Sequence, residues 1–138
     1  ELKERLTKMF KTDDTGKMNI SILSFGFKFG LPLDADLVFD VRFLPNPFYI
    51  EELRQLTGND QAVYDYVMEK EETKIFVEKT TEFLDYLLKE YEKEGKMHLV
   101  IGIGCTGGQH RSVTLTNYFA DYYSQYYQVH RLHRDADH

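Results

Sequence analysis

The hydrophobic pattern along this chain switches repeatedly between short apolar runs and longer amphipathic stretches. Residues 1–11 place Leu2, Leu6, Met9 and Phe10 on one stripe, the spacing of a short helix. A turn-rich break follows at 11–16. Residues 18–25, with Ile20, Ile22 and Leu23, read as a first strand, and 26–32 as a loop holding two glycines and a proline. Residues 37–43 read as a second strand, apolar apart from Asp40 and Arg42. Pro45 and Pro47 stop it, because proline cannot donate to a ladder.

A helical region comes next. Residues 50–56 predict one short helix, ended by Thr57, Gly58 and Asn59. Asp60 is placed to cap another, with Ala62, Val63, Tyr66 and Val67 facing inward. The longest predicted helix covers 73–91, its apolar side formed by Ile75, Phe76, Phe83, Leu84, Leu87 and Leu88. Residues 92–96 are a charged stop. Residues 97–103 predict a third strand, 108–123 a helix and 127–133 a fourth strand.

Apolar strands alternating with helices predict an α/β fold: a small, mostly parallel sheet of about four strands, with helices on both faces. In such folds ligands gather beyond the carboxyl ends of the strands. Three polar segments fall there: 26–30 after the first strand, 40–42 at the end of the second, and the turn after the third. Their convergence on one rim is the expectation on which a functional reading rests.

That last turn carries the densest chemistry. Gly104-Cys105-Thr106-Gly107-Gly108-Gln109-His110-Arg111-Ser112 joins a predicted strand to a predicted helix. Glycines there let the backbone approach an anion, at the positive end of the helix. Arg111 is suited to gripping a phosphate bidentately, and His110 to adding a hydrogen bond or a second charge. Thr106 and Ser112 offer hydroxyls. Cys105, at a helix start beside Arg111, is expected to tend toward a thiolate.

Several readings of this turn stay open. One is a phosphate seat built from Cys105, Thr106, Gly107, Gly108, Gln109, His110, Arg111 and Ser112, for a metabolite or for the backbone phosphate of RNA. Another is a plain glycine turn whose Arg111 pairs a surface carboxylate. The last is a cysteine phosphatase, since Cys105 and Arg111 stand in a C-x5-R spacing followed by serine. Such an enzyme needs an acid for its leaving group, and Asp36 and Asp40 are candidates by position. Asp40 and Arg42 are either a ligand-binding carboxylate with a phosphate-side cation, or part of a buried ion pair, Asp40–Arg42 or Asp40–Arg111, that only positions Arg111. Lys28 is either a phosphate ligand or a solvated loop lysine. The tyrosines and Phe119 between 118 and 127 suit core and subunit interface, or stacking on bases. The locally basic 130–134 stretch suits a strand or an RNA contact. His130, His133 and His138 lack zinc-type spacing and read as surface residues.

Composition narrows the class. A chain of 138 residues suits one domain with one core. With Tyr and Phe at 10 each and no Trp, aromatics carry much of that core. The single cysteine rules out an intrachain disulfide and fits a reducing cytoplasm. No signal peptide or membrane-length apolar run is present in the sequence. A formal net charge of −6 excludes a domain-wide basic surface for nucleic acid.

Several motifs in order (Phe25-Gly26-Phe27-Lys28, Pro32-Leu33-Asp34-Ala35-Asp36, the run from Phe39 through Asp40-Val41-Arg42 to Pro47, and Gly104 to Val113) resemble the C-terminal domain of RapZ-type proteins. That group includes YvcJ-like nucleotide-binding proteins of Gram-positive bacteria. The resemblance implies an N-terminal P-loop domain binding ATP or GTP. This chain has no G-x-x-x-x-G-K-[ST] motif, so 1–16 is expected to be a linker helix, and 17–138 a sensor domain without a cofactor of its own. In the enterobacterial branch the protein is an RNase adaptor that binds small regulatory RNAs and senses glucosamine-6-phosphate. Carried over by motif, the sugar-phosphate pocket involves Lys28, Asp40, Arg42, Cys105, Thr106, Gly107, His110 and Arg111. Implied partners are a phosphorylated amino sugar, a small RNA or protein, and further copies of the chain. Two departures stand out: Phe48 replaces a histidine implicated in ligand binding, and the branch's basic tail is missing.

Overall fold

The computed structural model describes residues 18–138. The linker helix expected at 1–16 lies outside the described residues. Four strands form one parallel sheet: β1 (Asn19–Gly26), β2 (Leu37–Asp40), β3 (His98–Cys105) and β4 (Gln128–His133), in the order β2-β3-β1-β4. Three helices accompany them: α1 (Gln61–Met68), α2 (Glu71–Glu94) and α3 (Arg111–Tyr123). The expected α/β class and parallel sheet are what the chain forms. Among the described residues no helix is long and apolar enough to cross a membrane.

Register explains the layering. Ile22 lies opposite Ile101, and Ile101 opposite Leu37. Ile20, Ile22, Leu99, Ile101 and Ile103 therefore share one face, since side chains alternate along a strand. They join a single buried cluster with Val63 and Val67 of α1, Leu84 and Leu88 of α2, and Leu115 and Phe119 of α3. The described helices thus sit on one face, not on both. The connections from β2 to β3 and from β3 to β4 cross the sheet in the same direction, so right-handed crossovers put their helices on the same side. The connection from β1 to β2 runs back and covers the other side with a loop. Phe25 lies there across β3: a Cβ on Gly104 would stand 2.4 Å from its ring, and one on Gly102 3.1 Å from Pro32.

Three boundaries differ from expectation, each for a local reason. β2 ends at Asp40 rather than 43, because the Asp40 carboxylate accepts the Arg42 N–H at 2.9 Å and turns the chain. Residues 50–56 form isolated turns, not a helix. Leu53 N–H donates to Ile50 and Leu56 N–H to Leu53, but seven residues after two prolines cannot sustain a nucleus. α3 starts at Arg111 rather than 108, because Gly108 is left-handed at φ 79°. α2 outruns its predicted ends and stops at Gly95, left-handed at φ 84°, where Lys96 N–H reaches back to Tyr91. Asp60 does precede α1, but its carboxylate accepts from Thr57 N–H rather than from the helix.

Candidate functional site

The carboxyl ends of β1 and β3 are side by side, with Gly26 opposite Cys105. The chain leaves β3 as a tight loop over 105–110 and enters α3. Three neighbours fix this loop through its backbone. Lys28 N–H donates to the Thr106 carbonyl, Gly58 N–H donates to that of Gln109, and Val41 N–H donates to that of Gly104.

Close backbone approach makes glycine obligatory at several of these points. A Cβ on Gly26 would lie 2.5 Å from the Gly107 carbonyl carbon, and one on Gly108 2.6 Å from Gly26 N. One on Gly58 would lie 2.5 Å from Thr114 N. Gly107 is the exception: its φ is not positive, and an added Cβ would meet nothing within 4 Å. Its missing side chain leaves bare backbone facing a cleft.

That cleft has a volume of about 350 Å³. Lys28, Cys105, Thr106, Gly107, Gln109, His110 and Arg111 line it, so the structure gathers seven of the predicted residues around one space. Asn46, Phe48 and Tyr49 complete the wall. Among the described residues, the N–H groups of Gly107, Gly108 and Gln109 donate to no protein acceptor. Consecutive undonated amides beside a helix start form an anion-binding concavity.

Arg111 is the most constrained charge in the site. It is 5% exposed, and its Nη1 donates to the carbonyls of Arg42 at 2.6 Å and Leu44 at 3.0 Å. Its Nε is buried with no partner. The guanidinium is thereby held through Nη1, and its Nε–H is left without a protein acceptor. The Nε–Nη2 edge of a guanidinium is the fork that grips carboxylate or phosphate oxygens.

The remaining predicted residues serve differently. His110 is buried, and its Nε2 donates to the Arg54 carbonyl at 3.2 Å. Burial pushes its pKa below the usual value, while the backbone carbonyls of Arg54, Leu56 and Leu53 pull it partly back. The ring is therefore neutral at pH 7, and it ties the loop to the 53–56 turns rather than supplying a second charge. Ser112 is fully buried. Its N–H donates to Cys105 Sγ at 3.4 Å, and its hydroxyl lies 3.2 Å from the same sulfur. Gln109 Nε2 donates to the His138 carbonyl.

Asp40 and Arg42 lie outside the cleft, paired with each other: Arg42 Nη2 reaches Asp40 Oδ2 at 2.6 Å and Nε reaches Oδ1 at 2.9 Å. Both are about half exposed. The Arg42 hydrogen bond holds the Asp40 carboxyl below its ordinary range. Arg42 also stacks on Phe27, 3.9 Å from the ring centre. Its carbonyl, rather than its guanidinium, reaches Arg111. Neither candidate acid is positioned for a leaving group: Asp40 is bound to Arg42, and Asp36 accepts from Val100 N–H and Lys96.

Sequence reasoning missed Asp135. It is 3% exposed, and its carboxylate accepts from Gly26 N–H at 2.8 Å and from Arg134 at 2.8 Å. Burial pushes its pKa up, but Arg134 and the Gly26 N–H more than offset this, and the net shift is downward. Its Cβ packs beside Gly108. Nothing local marks it, because its partner lies 109 residues away. Asn46 was legible only as a turn residue; its Oδ1 accepts from Phe48 N–H and sets the 3-10 turn (Pro47–Tyr49) that brings Phe48 and Tyr49 to the wall.

Residues 18–137 match the RapZ C-terminal domain. The chain belongs to that family. Over 137 residues it is 56% identical to a nucleotide-binding protein of Bacillus licheniformis, and 53% identical to the nucleotide-binding protein YvcJ of Bacillus subtilis. A nucleotide-binding protein of Bacillus thuringiensis is 51% identical. These alignments cover 99% of this chain but 46%, 46% and 47% of the relatives. The chain therefore spans about half the length of the relatives it matches.

Proposed function

We propose that this domain is a sensor that binds a phosphorylated amino-sugar metabolite in the cleft at the ends of β1 and β3. The observation that carries the reading is Arg111: a buried guanidinium, anchored through Nη1, whose Nε has no protein partner and which lines a cleft beside three undonated amides. The phosphate takes that edge and those amides. Lys28 balances the remaining charge. Thr106 and the Asn46 side of the wall meet sugar hydroxyls. Asp40 acts through Arg42, whose carbonyl positions Arg111.

The relatives' names point to nucleotide binding by the longer proteins. That activity belongs, on this reading, to a P-loop half carrying ATP or GTP. Occupancy of the cleft is passed to a partner, a small RNA or a protein, in the cytoplasm and in an oligomer of this chain. For that coupling the partner must discriminate the loaded from the empty domain. The phosphatase reading lacks its acid, because neither Asp36 nor Asp40 lines the cleft with Cys105.

The test is a thermal-shift series with glucosamine-6-phosphate, glucosamine and inorganic phosphate. A ligand at 100 times its Kd stabilises by about 2.7 kcal/mol. Glucosamine-6-phosphate should raise the melting temperature, glucosamine should not, and Arg111→Ala should abolish the shift. Cys105→Ser should keep the affinity. No shift with any phosphorylated sugar, or an undiminished one in Arg111→Ala, would refute the proposal.

A further inference from the structure

Cys105 lines the cleft, yet the sensor reading gives it no task. It ends β3 and is the chain's single cysteine. Only 2% of it is exposed, so what access it has is through that cleft. One residue meets its sulfur twice: the Ser112 N–H donates to Sγ at 3.4 Å, and the Ser112 hydroxyl lies 3.2 Å away. Lys28 and Arg111 share the cleft with it, and among the described residues no carboxylate side chain lines that space. Cysteine attacks as the thiolate, and donors and cations around the sulfur favour attack.

The same cleft holds unspent donors. Arg111 is nine-tenths buried and its Nε has no protein partner, and the N–H groups of Gly107, Gly108 and Gln109 donate to no described acceptor. Such a cradle suits an oxygen anion beside the sulfur. What is missing selects the electrophile. A phosphate ester needs an acid to protonate its leaving oxygen, and neither Asp36 nor Asp40 lines the cleft. The O–O bond of a hydroperoxide is weak enough to break without one, and thiolates take that route to sulfenic acid. Hydrogen peroxide is also small enough to reach a sulfur this buried.

We propose that Cys105 is a modification site for hydroperoxides: its thiol is oxidised to sulfenic acid, and the new oxygen occupies the anion seat. A sulfur electron pair attacks one peroxide oxygen, so the S–O bond forms as the O–O bond breaks. Sulfur is oxidised and the peroxide reduced; with hydrogen peroxide, the departing hydroxide takes the thiol proton and leaves as water. A chain with one cysteine has no second thiol for an internal disulfide, so reversal falls to an external thiol. That the oxygen then excludes a phosphorylated ligand rests on the sensor reading above.

The test exposes the folded protein to hydrogen peroxide. Quenched, denatured and alkylated samples give the rate of Cys105 thiol loss, and dimedone traps the sulfenic acid for peptide mass spectrometry. The thiol should be lost at least tenfold faster than that of glutathione at the same pH, with a dimedone adduct on Cys105. Ser112→Ala should slow the loss at least threefold, with circular dichroism confirming its fold. No adduct, a rate no faster than that of glutathione, or a rate unmoved in folded Ser112→Ala would overturn the proposal. Peroxide should also abolish the thermal shift with glucosamine-6-phosphate, and dithiothreitol should restore it. Cys105→Ser should keep its shift throughout, which excludes methionine oxidation as the cause. A trapped adduct with an undiminished shift would refute occupation of the seat. If the untreated protein shows no shift with any phosphorylated sugar, the sensor reading fails, while thiol loss and the adduct still decide the modification.

Discussion

Gly107 and Gly108 are adjacent, yet alanine should act on them in opposite ways. Gly108 is left-handed at φ 79°, and its added Cβ would lie 2.6 Å from Gly26 N and 2.9 Å from Asp135 Cβ. The left-handed conformation costs an L-residue about 1–2 kcal/mol. Forcing a methyl into a packed position costs about 1–3 kcal/mol more. The sum is about 2–5 kcal/mol. In a domain of this size that corresponds to roughly 6–20 °C of melting temperature. At Gly107 the methyl would meet nothing and φ is ordinary. There alanine should leave stability within about 1 kcal/mol, with a small gain expected from the stiffer unfolded chain. The same methyl would stand in the cleft over the amides, so glucosamine-6-phosphate affinity should fall at least tenfold. Differential scanning calorimetry reads the first effect and a ligand titration the second. If Gly107→Ala melts as low as Gly108→Ala, the loop geometry is wrong. If Gly107→Ala is stable and binds undiminished, the bare backbone is not the anion seat.

Three further outcomes follow from the same packing. His110 and His133 both have pKa values lowered by burial, with Arg131 adding to the effect at His133. Below about pH 6.5 the unfolded chain binds more protons at these two positions than the fold does, so stability is complete above that pH and declines as pH falls toward the folded values; melts between pH 7.5 and 5.5 should show it, with a shallower decline in His133→Gln, and a flat profile would refute it. Asp135→Ala strips the buried Gly26 N–H of its acceptor and should cost about 1–3 kcal/mol in urea denaturation, with Asp135→Asn recovering part of it. Tyr123→Phe removes the donor to Asp85 and should cost about 1 kcal/mol while leaving phosphate binding untouched, because neither residue lines the cleft.

Periodicity was enough to place the four strands, the two long helices and the loop after β3, because alternation and the 3.6-residue repeat are local properties of the chain. The strand–loop–helix setting of that glycine, cysteine and arginine motif was also legible, since glycines between an apolar run and an amphipathic one mark a tight turn. Where each functional group points is a tertiary matter. His110 and Arg111 are neighbours in sequence, but the imidazole is spent on the Arg54 carbonyl while the guanidinium is clamped by the carbonyls of Arg42 and Leu44. Arg42 reads as a phosphate ligand, yet its guanidinium belongs to Asp40 and Phe27. Asp135 reads as nothing until the sheet brings it to Gly26. The placement of the described helices on one face came from crossover direction, which depends on strand order and not on any pattern within a strand. Sequence determined which groups are available; long-range backbone contacts decided which of them keep an unspent hydrogen bond for a ligand.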